Sequence, residues 1–225
     1  MMTMHKTLIC AILMSLLITV PAWALKGDLG YTGTSRTDTY VLSVNHQIGP
    51  WSFYADYRYG ETDDVTTTDQ GYLNVIYDHK FSDRWSVAGG NKTGFNSVRG
   101  IDVENFLGAG PKYYIVRNDT TKLSFSVWYL SQYTEYSDKD SEAVHRMSYR
   151  PKFSYRKGAH EVKAVFYYQP SLDEPDDYFT IAEASYSVKI SDTQSVGFRF
   201  KDEYRSTVEG VKHETLKYIG WSFEL

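Results

Sequence analysis

The chain holds one cysteine in 225 residues, Cys10, and it stands in a segment that reads as a leader. Once that segment is removed no thiol remains, which excludes disulfides, a cysteine nucleophile and cysteine-based metal sites together. Cys10 follows Ile9 near the start of an apolar run, so it does not fit a lipid-attachment cysteine, which would follow that run behind a small residue. Long hydrophobic stretches are also missing: after residue 24 no run approaches the roughly 20 apolar residues of a membrane-spanning helix. Histidine is scarce, and His46, His79, His145, His160 and His213 form no H-x-H or H-x-x-x-H pairing, so neither a metal site nor a cofactor is expected. Positive charge is in deficit. Without Lys6 the chain carries 23 Lys and Arg against 28 Asp and Glu, and nothing points to nucleic acid.

Lys6, the largely apolar run 8–20 and the small-x-small site Ala22-Trp23-Ala24 read as a cleaved signal peptide over residues 1–24. Residues 25–225 then form one exported domain. All 20 tyrosines lie there, and with 11 Phe they make a β-prone sequence. Alternating patterns separated by turn residues predict twelve strands, at 26–34, 38–48, 51–60, 67–80, 84–94, 103–116, 121–135, 144–157, 160–169, 177–190, 194–206 and 214–225. Tight turns at 48–50, 81–84, 117–120, 157–159 and 191–193 alternate with polar loops at 61–66, 95–102, 136–143, 170–176 and 207–213. Only the short link 35–37 breaks that alternation.

The eighth strand alternates most cleanly. Met147, Tyr149, Pro151, Phe153 and Tyr155 occupy one parity; Arg146, Ser148, Arg150, Lys152, Ser154 and Arg156 occupy the other. A soluble sandwich also alternates, but charges in line along a strand could not be desolvated in a packed core without partners, whereas a watery lumen accepts them. The fold class expected is therefore all-β, an antiparallel transmembrane β-barrel of about twelve strands with its termini on the short-turn, periplasmic side. Strand 7 departs from the pattern, with Trp128 and Leu130 on its polar face. Trp51, Trp85 and Trp221 fall at the short-turn ends, and Tyr57, Tyr59, Tyr133, Tyr168, Tyr178 and Tyr204 at the loop ends, as two interfacial girdles would.

Read strand by strand, the inward parity carries more Lys and Arg than Asp and Glu, although the chain as a whole is negative. The basic lumen residues singled out are Arg58, Lys112, Arg146, Arg150, Lys152, Arg156, Lys163, Arg199 and Lys201. Such segregation favours anions inside the barrel. Two readings stay open at this point, since twelve strands leave room for either a conducting or a filled lumen. One is a narrow passive channel for small anionic solutes; the other is a non-conducting structural or stress-response barrel.

Gly30-Tyr31-Thr32-Gly33-Thr34-Ser35, Gly49-Pro50-Trp51, Phe81-Ser82-Asp83-Arg84-Trp85 and Gly108-Ala109-Gly110-Pro111 together resemble the salt-induced outer-membrane protein family, small barrels defined by a domain of unknown function. Relatives place Gly-Asn-Ser or Gly-Asn-Thr where this chain has Gly33-Thr34-Ser35. The resemblance implies a Gram-negative outer-membrane location and no catalytic signature. A second likeness, through Arg150-Pro151-Lys152 and Tyr155-Arg156, is to small oligosaccharide porins. The last strand, with Ile219, Trp221, Phe223 and Leu225 on one parity, is similar to the signal read by the barrel assembly machinery. Its partners would then be that machinery, outer-membrane lipid and small anions.

No enzyme is expected. The acidic loop residues Asp138, Asp140 and Glu142 with His145 read as a solvated loop rather than a protease rim. No Ser-His pair is positioned by the pattern.

Overall fold

The computed structural model describes residues 25–33, 37–63, 65–207 and 212–224. The expected signal peptide, and Thr34 and Ser35 of the opening motif, lie outside the described residues.

Twelve strands follow one another in order: β1 (Leu25–Gly33), β2 (Thr37–Ile48), β3 (Trp51–Thr62), β4 (Val65–Lys80), β5 (Trp85–Asn96), β6 (Ile101–Arg117), β7 (Thr121–Tyr136), β8 (Glu142–Lys157), β9 (His160–Pro170), β10 (Tyr178–Lys189), β11 (Gln194–Arg205) and β12 (His213–Glu224). Each pairs antiparallel with its sequence neighbours, and β1 closes the ring on β12, with Lys26 opposite Glu224 and Tyr31 opposite Ile219. The expected fold class holds: a closed, all-antiparallel twelve-stranded barrel without free sheet edges. The seam requires a glycine. The Tyr218 ring lies against Gly30, and a Cβ there would come within 2.3 Å of the ring. At the short-turn end Gly158, at φ +57°, supplies the left-handed residue of the two-residue turn between β8 and β9.

The barrel is apolar outside and polar inside. Leu29, Leu42, Leu107, Phe125, Tyr149, Phe153, Phe166, Phe198 and Ile219 are exposed on the outer surface, while Ser43, Asp56, Ser86, Thr134 and Ser148 are almost fully buried on the inner one. The parity assigned to the eighth strand is the one observed. Trp51 packs on Tyr77 and Trp85 on Tyr113, both at 4.8 Å, near the short-turn end. Tyr168, Tyr178 and Tyr204 form a chain of rings near the other end, 5.8 and 5.6 Å apart.

The loop end is tighter than expected. The polar stretches read as loops at 61–66 and 95–102 are partly strand: β3 runs to Thr62, β4 begins at Val65, β5 reaches Asn96 and β6 begins at Ile101. Val65 and Thr66 are β-branched, so they start β4 two residues before its expected beginning at 67, in a stretch whose polar neighbours read as loop. A bulge between Gly60 and Glu61 absorbs the extra residue. Between β5 and β6 the chain makes one 3-10 turn, Ser97–Arg99, capped by the Asn96 side chain on the Arg99 N–H and ended by Gly100 at φ +63°. No helix was expected there.

Candidate functional site in the barrel lumen

Inward side chains divide the lumen into two unlike halves. Toward the loop end it is packed: Val41, Arg58, Glu104, Phe106, Leu130, Gln132, Arg146, Phe179, Ile181, Lys201, Glu203, Leu216 and Tyr218 are all buried. Charges here are satisfied across the barrel. Arg205 grips Glu104 through two bonds of 2.6 and 2.8 Å, although 101 residues separate them. Arg146 pairs with Asp177 and donates to Gln132 Oε1 at 2.6 Å. It also reaches the carbonyls of Gln169 and Asp177, both at 3.2 Å. Arg58 meets Asp56 at 2.7 Å, Lys201 meets Glu203, and Arg99 descends from the 3-10 turn to within 3.4 Å of Glu214. A guanidinium or carboxylate removed from water is tolerated only with such partners, so this layer is a plug whose parts depend on one another.

Against the plug packs an apolar layer of Ala88, Phe106, Trp128, Leu130, Phe179 and Ile181, with Ile76 and Tyr167 packed against it. Phe106 and Phe179 stack at 6.3 Å between ring centroids. Below that layer a cavity of about 660 Å³ opens. Its walls include Gly158, Ala159, Asp192 and Thr193 of the short turns, but no residue of the described loops at the opposite end, so it opens on the short-turn side.

Of the nine basic residues singled out in the sequence, Arg58, Arg150, Arg156, Lys163, Arg199 and Lys201 line this cavity, so Arg58 and Lys201 belong both to the plug and to the cavity wall. Lys112 is held by Asp78 at 2.7 Å, and Arg146 belongs to the plug. Lys152 lies 5.4 Å from the ring of Tyr167, which is itself part of the wall. The in-line series on the eighth strand needs correction, because it is not four free charges. Arg146 is neutralised by Asp177, and Arg156 by Glu161 at 2.6 Å, a carboxylate shared with Lys163 at 2.8 Å. Between Arg146 and Arg156 the strand's own inward face has no carboxylate; the partners come from β9 and from the residue preceding β10. Arg199 pairs in the same way with Asp28 of β1 at 2.7 Å.

Among the described residues, Arg150 and Lys152 are left without a carboxylate partner. Arg150 sits over Trp128 at 4.0 Å and faces Tyr167 at 5.1 Å, and its Nε donates to Ser148 Oγ at 2.8 Å. Lys92 lies over Tyr72 at 4.4 Å and feels the charges of Glu203 and Glu104 in the plug. The apolar layer is what reasoning from the sequence missed. Its one visible signal was the departure of Trp128 and Leu130 from the alternation of the seventh strand.

Ring closure, strand number and a lumen lined by charge define a small porin-type barrel. The chain belongs to the family described as protein of unknown function, DUF481, which matches residues 24–219. That description carries no salt induction. No curated protein is matched. Among solved structures the chain is similar to the NanC porin, with TM-score 0.63 and 15% identity over 90% of this chain and all of that one. It is also similar to the KdgM porin, with TM-score 0.58 and 10% identity over 89% and 99%. The latter has also been solved in complex with disordered oligogalacturonate, a structure matched at TM-score 0.55 and 10% identity over the same 89% and 99%. At these identities the likeness is one of fold.

Proposed function

We propose that this chain is a Gram-negative outer-membrane barrel, exported with a cleaved signal peptide, whose lumen is a narrow passage for small anionic solutes, held shut toward the loop end. The apolar outer surface between two aromatic belts supports the membrane location, since a water-soluble protein does not expose so continuous an apolar face. The outward Ile219 and Trp221 of β12 suit recognition by the barrel assembly machinery. One observation carries the anion preference: the carboxylates that line the cavity, Asp28, Glu161, Glu183, Asp192 and Glu224, each have a basic partner, while Arg150 on the same wall and Lys152 beside its Tyr167 ring have no acidic one among the described residues. A lumen so balanced presents net positive charge to an entering solute.

The packed loop-end half favours a second reading, a non-conducting structural or stress-response barrel. Planar-bilayer recordings separate the two. The channel reading expects discrete openings, made frequent when Glu104 and Arg205 are both replaced by alanine. A membrane that stays silent with that plug pair removed supports the second reading. Location is tested by fractionation: the protein should travel with outer membranes and show heat-modifiable migration on gels, and recovery as a soluble monomer would sink the proposal. No catalytic group takes part in either reading.

A further inference from the structure

The cavity is two-faced, and its two faces ask for one kind of ligand. One wall is basic and lacks acidic compensation. With Nε bonded to Ser148, Arg150 turns its two terminal nitrogens toward the cavity, where no hydrogen bond to them is formed among the described residues. Lys152 flanks the Tyr167 ring. Nearby, the Trp128 indole N–H is buried without an acceptor, and Gln169, which gives its amide to Ser148 at 3.1 Å, keeps a buried carbonyl oxygen without a donor. Orphaned polar atoms inside a closed structure are costly, and here they cluster on the wall that carries the free guanidinium.

The ceiling is the opposite in character. Phe106, Leu130, Phe179 and Ile181 present apolar surface to the cavity. A polyhydroxylated solute would press hydroxyl groups against these side chains and leave them without partners. An apolar body gains by lying there, and the cavity's volume falls in the usual range for a small-ligand site.

We infer that the cavity binds an amphipathic monocarboxylate, an acid with an aromatic or alkyl body. Its carboxylate is gripped by Arg150, and its body rests against Phe106, Phe179, Leu130 and Ile181. The two terminal N–H groups of a guanidinium match the two oxygens of a carboxylate, and Trp128 and Tyr167 fix the plane in which they meet it. Lys152, 5.4 Å from the Tyr167 ring, adds positive charge beside that wall. The inference rests on the anion-favouring reading of the lumen and narrows it from anions in general to acids that carry an apolar body.

The test is calorimetric titration of the full barrel in lipid nanodiscs at neutral pH, with empty nanodiscs as blank and 4-phenylbutyrate as probe. Galacturonate supplies a carboxylate without an apolar body, and 4-phenylbutanol the body without the charge. Saturable binding of phenylbutyrate is expected, with galacturonate, phenylbutanol and the Arg150→Gln variant each weaker by about tenfold or more, as loss of a charged hydrogen-bonding partner implies. Heat-modifiable migration checks that the variant is folded, and the two comparison ligands need no variant at all. Galacturonate binding as tightly as phenylbutyrate, phenylbutanol doing so, or no saturable binding would each overturn the proposal. Chloride selectivity without phenylbutyrate binding would overturn it and leave the channel reading standing; binding in a cation-selective barrel would do the reverse.

Discussion

Neighbouring residues on one strand meet different solvents in this barrel. Tyr149 and Phe153 of β8 face outward and are 38% and 37% exposed, whereas Lys152 turns to the lumen beside Tyr167. A cation forced into hydrocarbon at mid-membrane costs about 2–4 kcal/mol, and the same charge in water costs little. Tyr149→Lys or Phe153→Lys should therefore lower barrel stability by about that amount in a urea titration in lipid vesicles, and Lys152→Glu by much less. The reverse ranking would invert the assigned faces. A second contrast lies in the plug. Glu104→Gln leaves the Arg205 guanidinium with its charge uncompensated in a buried layer, a loss on the order of 3–5 kcal/mol. Lys26→Gln should change stability little, because its pair with Glu224 lies more than half exposed at the rim, where ion pairs contribute at most about 1 kcal/mol. The same titration compares them, and equal costs would mean that the loop-end layer is hydrated rather than packed.

At the scale of strands, period-two alternation was enough to find all twelve, because lipid outside and water inside impose opposite polarity on successive residues. Strand ends were less legible. Val65 and Thr66 begin β4 ahead of its expected start at 67, where one apolar residue among polar ones gives no alternation to read, and the turn at 97–99 draws its cap from Asn96 rather than from a pattern. Pairing inside the lumen was not legible at all. Arg205 finds Glu104 on a distant strand, and Arg199 finds Asp28 across 171 residues, so each depends on the register and curvature of the closed ring. This is why the basic face of β8 read as a continuous ladder, while the structure leaves only Arg150 and Lys152 uncompensated. Trp128 and Leu130 were visible as exceptions, but the layer they build needs Phe106 and Phe179 from two other strands. On the channel reading, that layer and the plug would close the passage together. Phe179→Ala should widen it and raise the frequency of openings in planar bilayers, with a smaller rise than the alanine pair at Glu104 and Arg205. Unchanged recordings for both variants would place the barrier elsewhere.

The whole molecule is a ring of antiparallel hairpins with its charge sorted by position. The chain is net negative, yet the cavity on the short-turn side is lined by Arg150, which has no carboxylate partner among the described residues, with Lys152 beside its Tyr167 wall. A pore in this fold is narrow and partly shielded from bulk solvent, so each fixed charge is less screened than on a surface, where the Debye length is about 8 Å at physiological salt. Selectivity should accordingly weaken as salt is raised. The most direct test of the account is the reversal potential under a potassium chloride gradient, recorded from the Glu104→Ala/Arg205→Ala barrel and from any openings of the unaltered one. The account predicts chloride over potassium, and a shift toward the cation side when Arg150 and Lys152 are both changed to glutamate. Preference for potassium before that change, or no shift after it, would contradict it.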